Sequence, residues 1–241
     1  MGILSFFGKK SPADVARKHA PRIADKRAYA PDRWDSIRAV ADLKTKEAAE
    51  ALLPRFTFRI DPGITDEEEK ELAFRGIVGA GEEAVGPIVE FLRKTDTVAW
   101  PVRMLASLLP EERVNEELLA LLATMDTEYA RDPEKKIDLL KELEQRKDPR
   151  IAEAVLRFLG DVNESARFHA VAAYAAQDRA VEEPKPLLDR IFEDESARVR
   201  ARAFEALAAR GIAIPKDVAH LARAKAPATV SIDAEGKVSK V

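Results

Sequence analysis

The chain has 241 residues, with 40 Lys plus Arg against 43 Asp plus Glu and no cysteine. That length suits one large or two small domains. The net charge of -3 disfavours a generally nucleic-acid-seeking protein, and the missing cysteine excludes a disulfide framework, a cysteine zinc site, an iron–sulfur cluster and a cysteine nucleophile. Apolar residues reach 46%, charged residues 34% and aromatics only 6%, which favours amphipathic helices over a β-sandwich. No apolar run is long enough to span a membrane. The charge is uneven: residues 1–60 hold 13 basic and 7 acidic side chains, residues 61–160 hold 14 and 23, and the remainder holds 13 of each.

Residues 1–11 read as an apolar and basic tail, Ile3, Leu4, Phe6 and Phe7 coming before Lys9 and Lys10. A secretory signal has the reverse order, so a cytoplasmic location is expected. Gly2 invites a myristoylation reading, but that motif wants Ser or Thr where Phe6 stands. The tail offers weak, reversible membrane-surface contact at most. A capping helix is expected over 12–28, bent near Pro21. Six helix pairs follow from the apolar spacing: 34–43 with 46–54, 66–79 with 82–94, 99–109 with 111–124, 133–146 with 149–160, 163–177 with 180–193, and 196–210 with 215–224. Pro101, Pro133, Pro149 and Pro215 fall at expected first turns. Thr65-Asp66-Glu67-Glu68 has capping-box spacing, and the acidic run to Glu69 reads as a helix start. Strand-like alternation is confined to 56–60 and 229–232. Residues 226–241 read as a tail able to turn at Glu235-Gly236 into a small hairpin.

Three helix starts share a feature. Asp32 precedes Arg38 by six residues, Asp161 precedes Arg167 by six, and Asp194 precedes Arg200 by six, the last two copies standing 33 apart. Glu82-Glu83-Ala-Val-Gly-Pro87 also matches Glu182-Glu183-Pro-Lys-Pro186. Two helices per unit with a period of this size mark an α-solenoid. On these residues the chain resembles the HEAT repeat family, in particular its bacterial HEAT-like members. The resemblance implies an all-α solenoid of about six antiparallel pairs over 12–225, in which each aspartate and arginine links neighbouring repeats. Residues 66–123 lack the pair.

No catalytic constellation emerges. His19, His169 and His220 lie in separate helices without metal-ligand spacing. Gly76, Gly79 and Gly81 match no phosphate loop, and no serine sits in a nucleophile elbow. Cofactor and metal are therefore expected to be none. Trp100, placed before Pro101 in expected extended geometry, reads either as an interaction residue or as a staple of its turn onto the adjacent repeat, and Phe6, Phe7, Lys9 and Lys10 read either as an interaction hook or as a loose or folded-back tail. Trp34 reads as core. The Phe56, Phe58 and Ile60 segment with Arg55 and Arg59 reads either as a basic and aromatic strip or as a connector. The expected function is a non-enzymatic scaffold binding a protein through a groove lined by second helices, the acidic middle favouring a basic partner segment. The alternative is nucleic-acid binding or repair, because some HEAT-like proteins are alkylpurine DNA glycosylases. Resemblance to HEAT-like bilin lyases rests on repeat class alone.

Overall fold

The computed structural model describes residues 11–241 and shows an all-helical protein, with fourteen α-helices and one two-stranded sheet among them. The chain divides into two compact units, Met1–Val114 and Asn115–Val241. Phe6, Phe7, Lys9 and Lys10 lie outside the described residues.

In the first unit, α1 (Pro12–Ile23) starts where the Ser11 hydroxyl accepts the Asp14 amide. It stops at Ile23, short of the expected 28. Residues 25–28 instead wrap the guanidinium of Arg33, which donates to the carbonyls of Asp25, Lys26 and Ala28. Helix α2 (Ala30–Ala41) starts earlier than expected, with Pro31 in its first turn, so Asp32 is a first-turn residue and not a cap. Helix α3 (Lys46–Leu52), capped by Thr45, runs into a 3-10 segment (Leu53–Thr57) at Pro54. Helix α4 (Gly63–Val78) also starts early. Thr65 lies inside it and caps nothing, which corrects the capping-box expectation. Helices α5 (Val85–Lys94) and α6 (Ala99–Leu108) complete the unit.

Here α2 packs on α1 and α4, α3 on α1 and α4, and α6 on α4 and α5. Ile37, Val40, Leu52, Ile77, Ile88, Leu92 and Met104 are sealed between them, each worth roughly 1.5–3 kcal/mol of apolar burial. Gly76 permits the α2–α4 approach, since a Cβ there would lie 2.6 Å from the Cα of Ala41. Helix α7 (Glu111–Ala123) contains the boundary between the units.

In the second unit come α8 (Glu134–Glu144), α9 (Pro149–Leu156) and α10 (Glu164–Ala176). Short α11 (Arg179–Glu182), α12 (Lys185–Glu193), α13 (Ala197–Arg210) and α14 (Ala219–Lys225) follow. The helix expected over 180–193 breaks because Pro184 holds Glu183 out of helical geometry, and the Tyr174 hydroxyl fixes the break by donating to the Glu183 carbonyl at 2.8 Å. Pro215 precedes a turn, so it is not a first-turn residue of α14.

Helix α10 lies between α8 and α13, which makes these three one layer, while α9 packs on α10 and α12 on α13. Leu140, Ile151, Val155, Phe158, Val171, Ile191, Phe204 and Leu207 fill the core. The last segment folds as an antiparallel hairpin, β1 (Val230–Ile232) with β2 (Val238–Lys240), Ile232 opposite Val238, and β2 packs on α13. Gly236 turns it with φ 83°, and its carbonyl accepts the Ile214 amide at 2.8 Å. A Cβ there would meet the Ile214 carbonyl oxygen at 2.0 Å.

Candidate interaction surface

Two of the three aspartate–arginine pairs act together, although not as direct partners. The Arg167 guanidinium donates to the backbone carbonyl of Asp161 at 2.9 Å and to both carboxylate oxygens of Asp194 at 2.8 and 3.1 Å. Arg200 repeats the first contact, donating to the Asp194 carbonyl at 2.9 Å. The Asp161 carboxylate is taken by buried Lys136 at 2.6 Å and by the Asn163 amide at 2.8 Å. Each aspartate thus closes its own turn and accepts a basic side chain from 25 or 27 residues earlier. The Asp194 contact holds the Arg167 pKa above its usual value, against the opposing pull of burial.

The Asp32 and Arg38 assignment is corrected. Arg38 is 62% exposed and pairs with Asp35 on its own helix. The residue that enters the core is Arg33, whose side chain is 2% exposed and which donates to Glu69 at 2.9 and 3.1 Å. Arg55 donates to the same Glu69 at 2.6 Å and to Asp66 at 2.7 Å, and Lys70 closes the cluster on Asp66 at 2.6 Å. Asp66 also accepts the Ile60 amide. Burial pushes the Asp66 pKa up, but the hydrogen bonds from Lys70 and Arg55 outweigh it and hold the carboxyl below its ordinary value. Arg33, Arg55, Asp66, Glu69 and Lys70 therefore form an internal network.

Trp100 lies in the first turn of α6, not in an extended turn, because the α6 backbone runs through it into Pro101. It is half-buried against Phe56, 5.0 Å away, and Phe74, 6.1 Å away. The Arg103 guanidinium lies over both Trp100 and Phe74 at 4.9 and 4.2 Å and is clamped by Glu71. The indole is thus roofed by its own helix. Trp34 is half-buried, where the sequence pattern predicts core.

A concavity floored by alanines lies in the second unit. Ala172, Ala175 and Ala176 of α10 face Ala206 and Ala209 of α13 and leave a groove of about 380 Å³. Side chains of one carbon leave the space between two adjacent helices unfilled without disturbing either helix. Its rim holds Lys147, Arg202, Arg210 and Lys240 against Glu144 and Glu205. Glu144 is shared by His169, with Nδ1 to Oε2 at 3.1 Å, and by Arg202 at 3.9 Å. Arg198 and Arg202 cover the Phe168 ring at 4.1 and 5.3 Å. The groove lies on first helices, whereas the sequence reading placed it on second helices. The alanine clusters at 170–176 and 206–209 were its only visible signal.

Beside it, Asp148 caps α9 and accepts from Arg150, whose hydrogen bond is the main reason its pKa falls to about 2. Buried Gln177 ties that turn down, its amide oxygen accepting the Asp148 amide and its nitrogen donating to the Arg146 carbonyl. Among the described residues no group of three or more His, Cys, Asp or Glu is placed to hold a metal, and no helix is long and apolar enough to cross a membrane. The sequence matches no protein-family model and no curated protein.

Proposed function

We propose that this protein is a non-enzymatic scaffold, a HEAT-like α-solenoid that holds a partner protein on the face of α8, α10 and α13. The open alanine-floored groove carries this proposal: a surface with room for another chain's side chains, charged at the rim, with no reactive group at its base. The repeat character is supported in the second unit by hydrogen bonds that recur across one period. Arg198 donates to Ser165, Arg210 to the Gln177 carbonyl and Lys225 to the Phe192 carbonyl, each spanning 33 residues. Equivalent positions on successive helix pairs make such lateral bonds when the pairs stack in register.

The test is affinity capture from native extract with the full chain and with Ala209→Phe. Ala209 is exposed, so the larger ring fills the groove without entering the core. The wild type is expected to retain a partner in stoichiometric amount and the variant to lose it, with unchanged circular dichroism. No partner at low and moderate salt, or equal capture by both proteins, overturns the proposal.

A further inference from the structure

We infer that α1 and the turn after it dock this protein on an anionic lipid surface, the cations of that face meeting the headgroups and Ile3, Leu4, Phe6 and Phe7 entering the acyl boundary. The inference rests neither on the groove nor on the scaffold reading. Ala16 and Ile23 of α1 are buried and the helix packs on α2 and α3, which leaves Lys18, Pro21 and Arg22 on the solvent side. Lys18 and Arg22 stand one helical turn apart, and Lys26 and Arg27 follow in the turn that leaves the helix, all four exposed. Lys18, Lys26 and Arg27 make no ion pair among the described residues, and the Arg22 guanidinium reaches the Ser36 hydroxyl at 3.4 Å. Arg17 is set aside, since it pairs with Asp14 and borders Glu47 and Glu50. The other acid of the stretch, Asp25, accepts the Arg27 amide at 2.8 Å. Residues 9–27 hold seven Lys and Arg against these two Asp, in a chain of net charge -3.

A cationic face alone suits any polyanion. Apolar side chains at both ends of this one favour lipid. Tyr29, 72% exposed, stands two residues after Arg27, and Ile3, Leu4, Phe6 and Phe7 precede Lys9 and Lys10 in sequence. An apolar ring with a polar tip is at home at the headgroup level. A short apolar stretch gives only weak, reversible contact by itself, whereas the same stretch beside a polybasic patch supplies the two signals that peripheral membrane binding takes. A nucleic acid would use the cations and leave four apolar side chains in water.

Flotation of the full-length protein tests this, with vesicles of equimolar phosphatidylserine and phosphatidylcholine against vesicles of phosphatidylcholine alone. At low salt the protein is expected to partition onto the anionic vesicles at least about tenfold better than onto the neutral ones, and to come off as salt rises. Lys18→Glu with Lys26→Glu and Arg27→Glu should lower the anionic partition at least about tenfold, since each cation near such a surface contributes about fivefold. Phe6→Ser with Phe7→Ser should lower it at least about fivefold without touching α1. If circular dichroism shows the triple variant misfolded, Lys26→Glu with Arg27→Glu, outside the helix, should still lower it at least about fivefold. No flotation at low salt, equal partition onto both vesicles, or wild-type partition by either the charge variants or the Phe6 and Phe7 variant overturns the inference. An equal loss from Lys216→Glu with Lys237→Glu and Lys240→Glu, the same change of net charge made in the second unit, also overturns it. Oligothymidylate bound equally by the wild type and the Phe6 and Phe7 variant, without vesicle binding, makes the face a nucleic-acid site instead.

Discussion

The two units bury charge in opposite ways. The first gathers Arg33, Arg55, Asp66, Glu69 and Lys70 into one cluster in which Glu69 serves two arginines at once. The second distributes its charges along the chain, Lys136 to Asp161 and Arg167 to Asp194, each aspartate also closing the turn that carries it. A shared acceptor makes both arginines depend on one residue. Separate pairs confine a loss to one junction.

That difference sets an order of mutational effects. Glu69→Gln should be the most damaging, leaving two buried guanidinium groups short of charge, with an expected loss of about 3–5 kcal/mol. Urea unfolding would show it, and a loss below about 1 kcal/mol would mean that Arg33 and Arg55 find other acceptors. Asp194→Asn should cost about 2–3 kcal/mol, because Arg167 keeps the carbonyls of Asp161 and Val162. Equal losses for the two variants would erase the contrast between shared and separate acceptors.

Asp148 probes the turns. Its folded pKa of about 2 lies below the ordinary 3.8, so its contribution is complete above that ordinary value and is lost as pH falls toward about 2. The contribution is about 2 kcal/mol. Stability measured by urea unfolding from pH 5 down to 2 should fall more steeply for the wild type than for Asp148→Asn, and parallel curves would refute the assignment. Arg38→Ala should change stability by less than about 0.5 kcal/mol, since both members of its pair are exposed. A thermal melt shifted as far as that of Arg33→Ala would restore Arg38 as the core residue.

The second unit was the more legible in sequence. Asp161 with Arg167 and Asp194 with Arg200 stand out because a turn aspartate and a following arginine are local features with a fixed offset. Their partners were not, since the acceptor of Arg167 is the next aspartate and the donor to Asp161 is a lysine in a helix with no such motif. In the first unit the same offset pointed to Arg38, five residues or about 1.4 helical turns from Arg33, and only the packing of α2 on α4 decides which of the two meets Glu69. Trp100 misled for a related reason. The residue before proline is biased toward extended backbone, yet here the first turn of α6 and the Phe56, Phe74 and Arg103 contacts outweigh that preference.

By itself the sequence determined an all-helical chain, most of the helix starts and stops, and the hairpin turn at Gly236, because capping groups, proline and glycine act on backbone a few residues away. Only the tertiary structure decided which charges are buried, which aromatic is roofed over, and that two alanine-rich helix faces stand side by side as a groove. Those properties belong to pairs of helices, and no spacing within one helix records its neighbour.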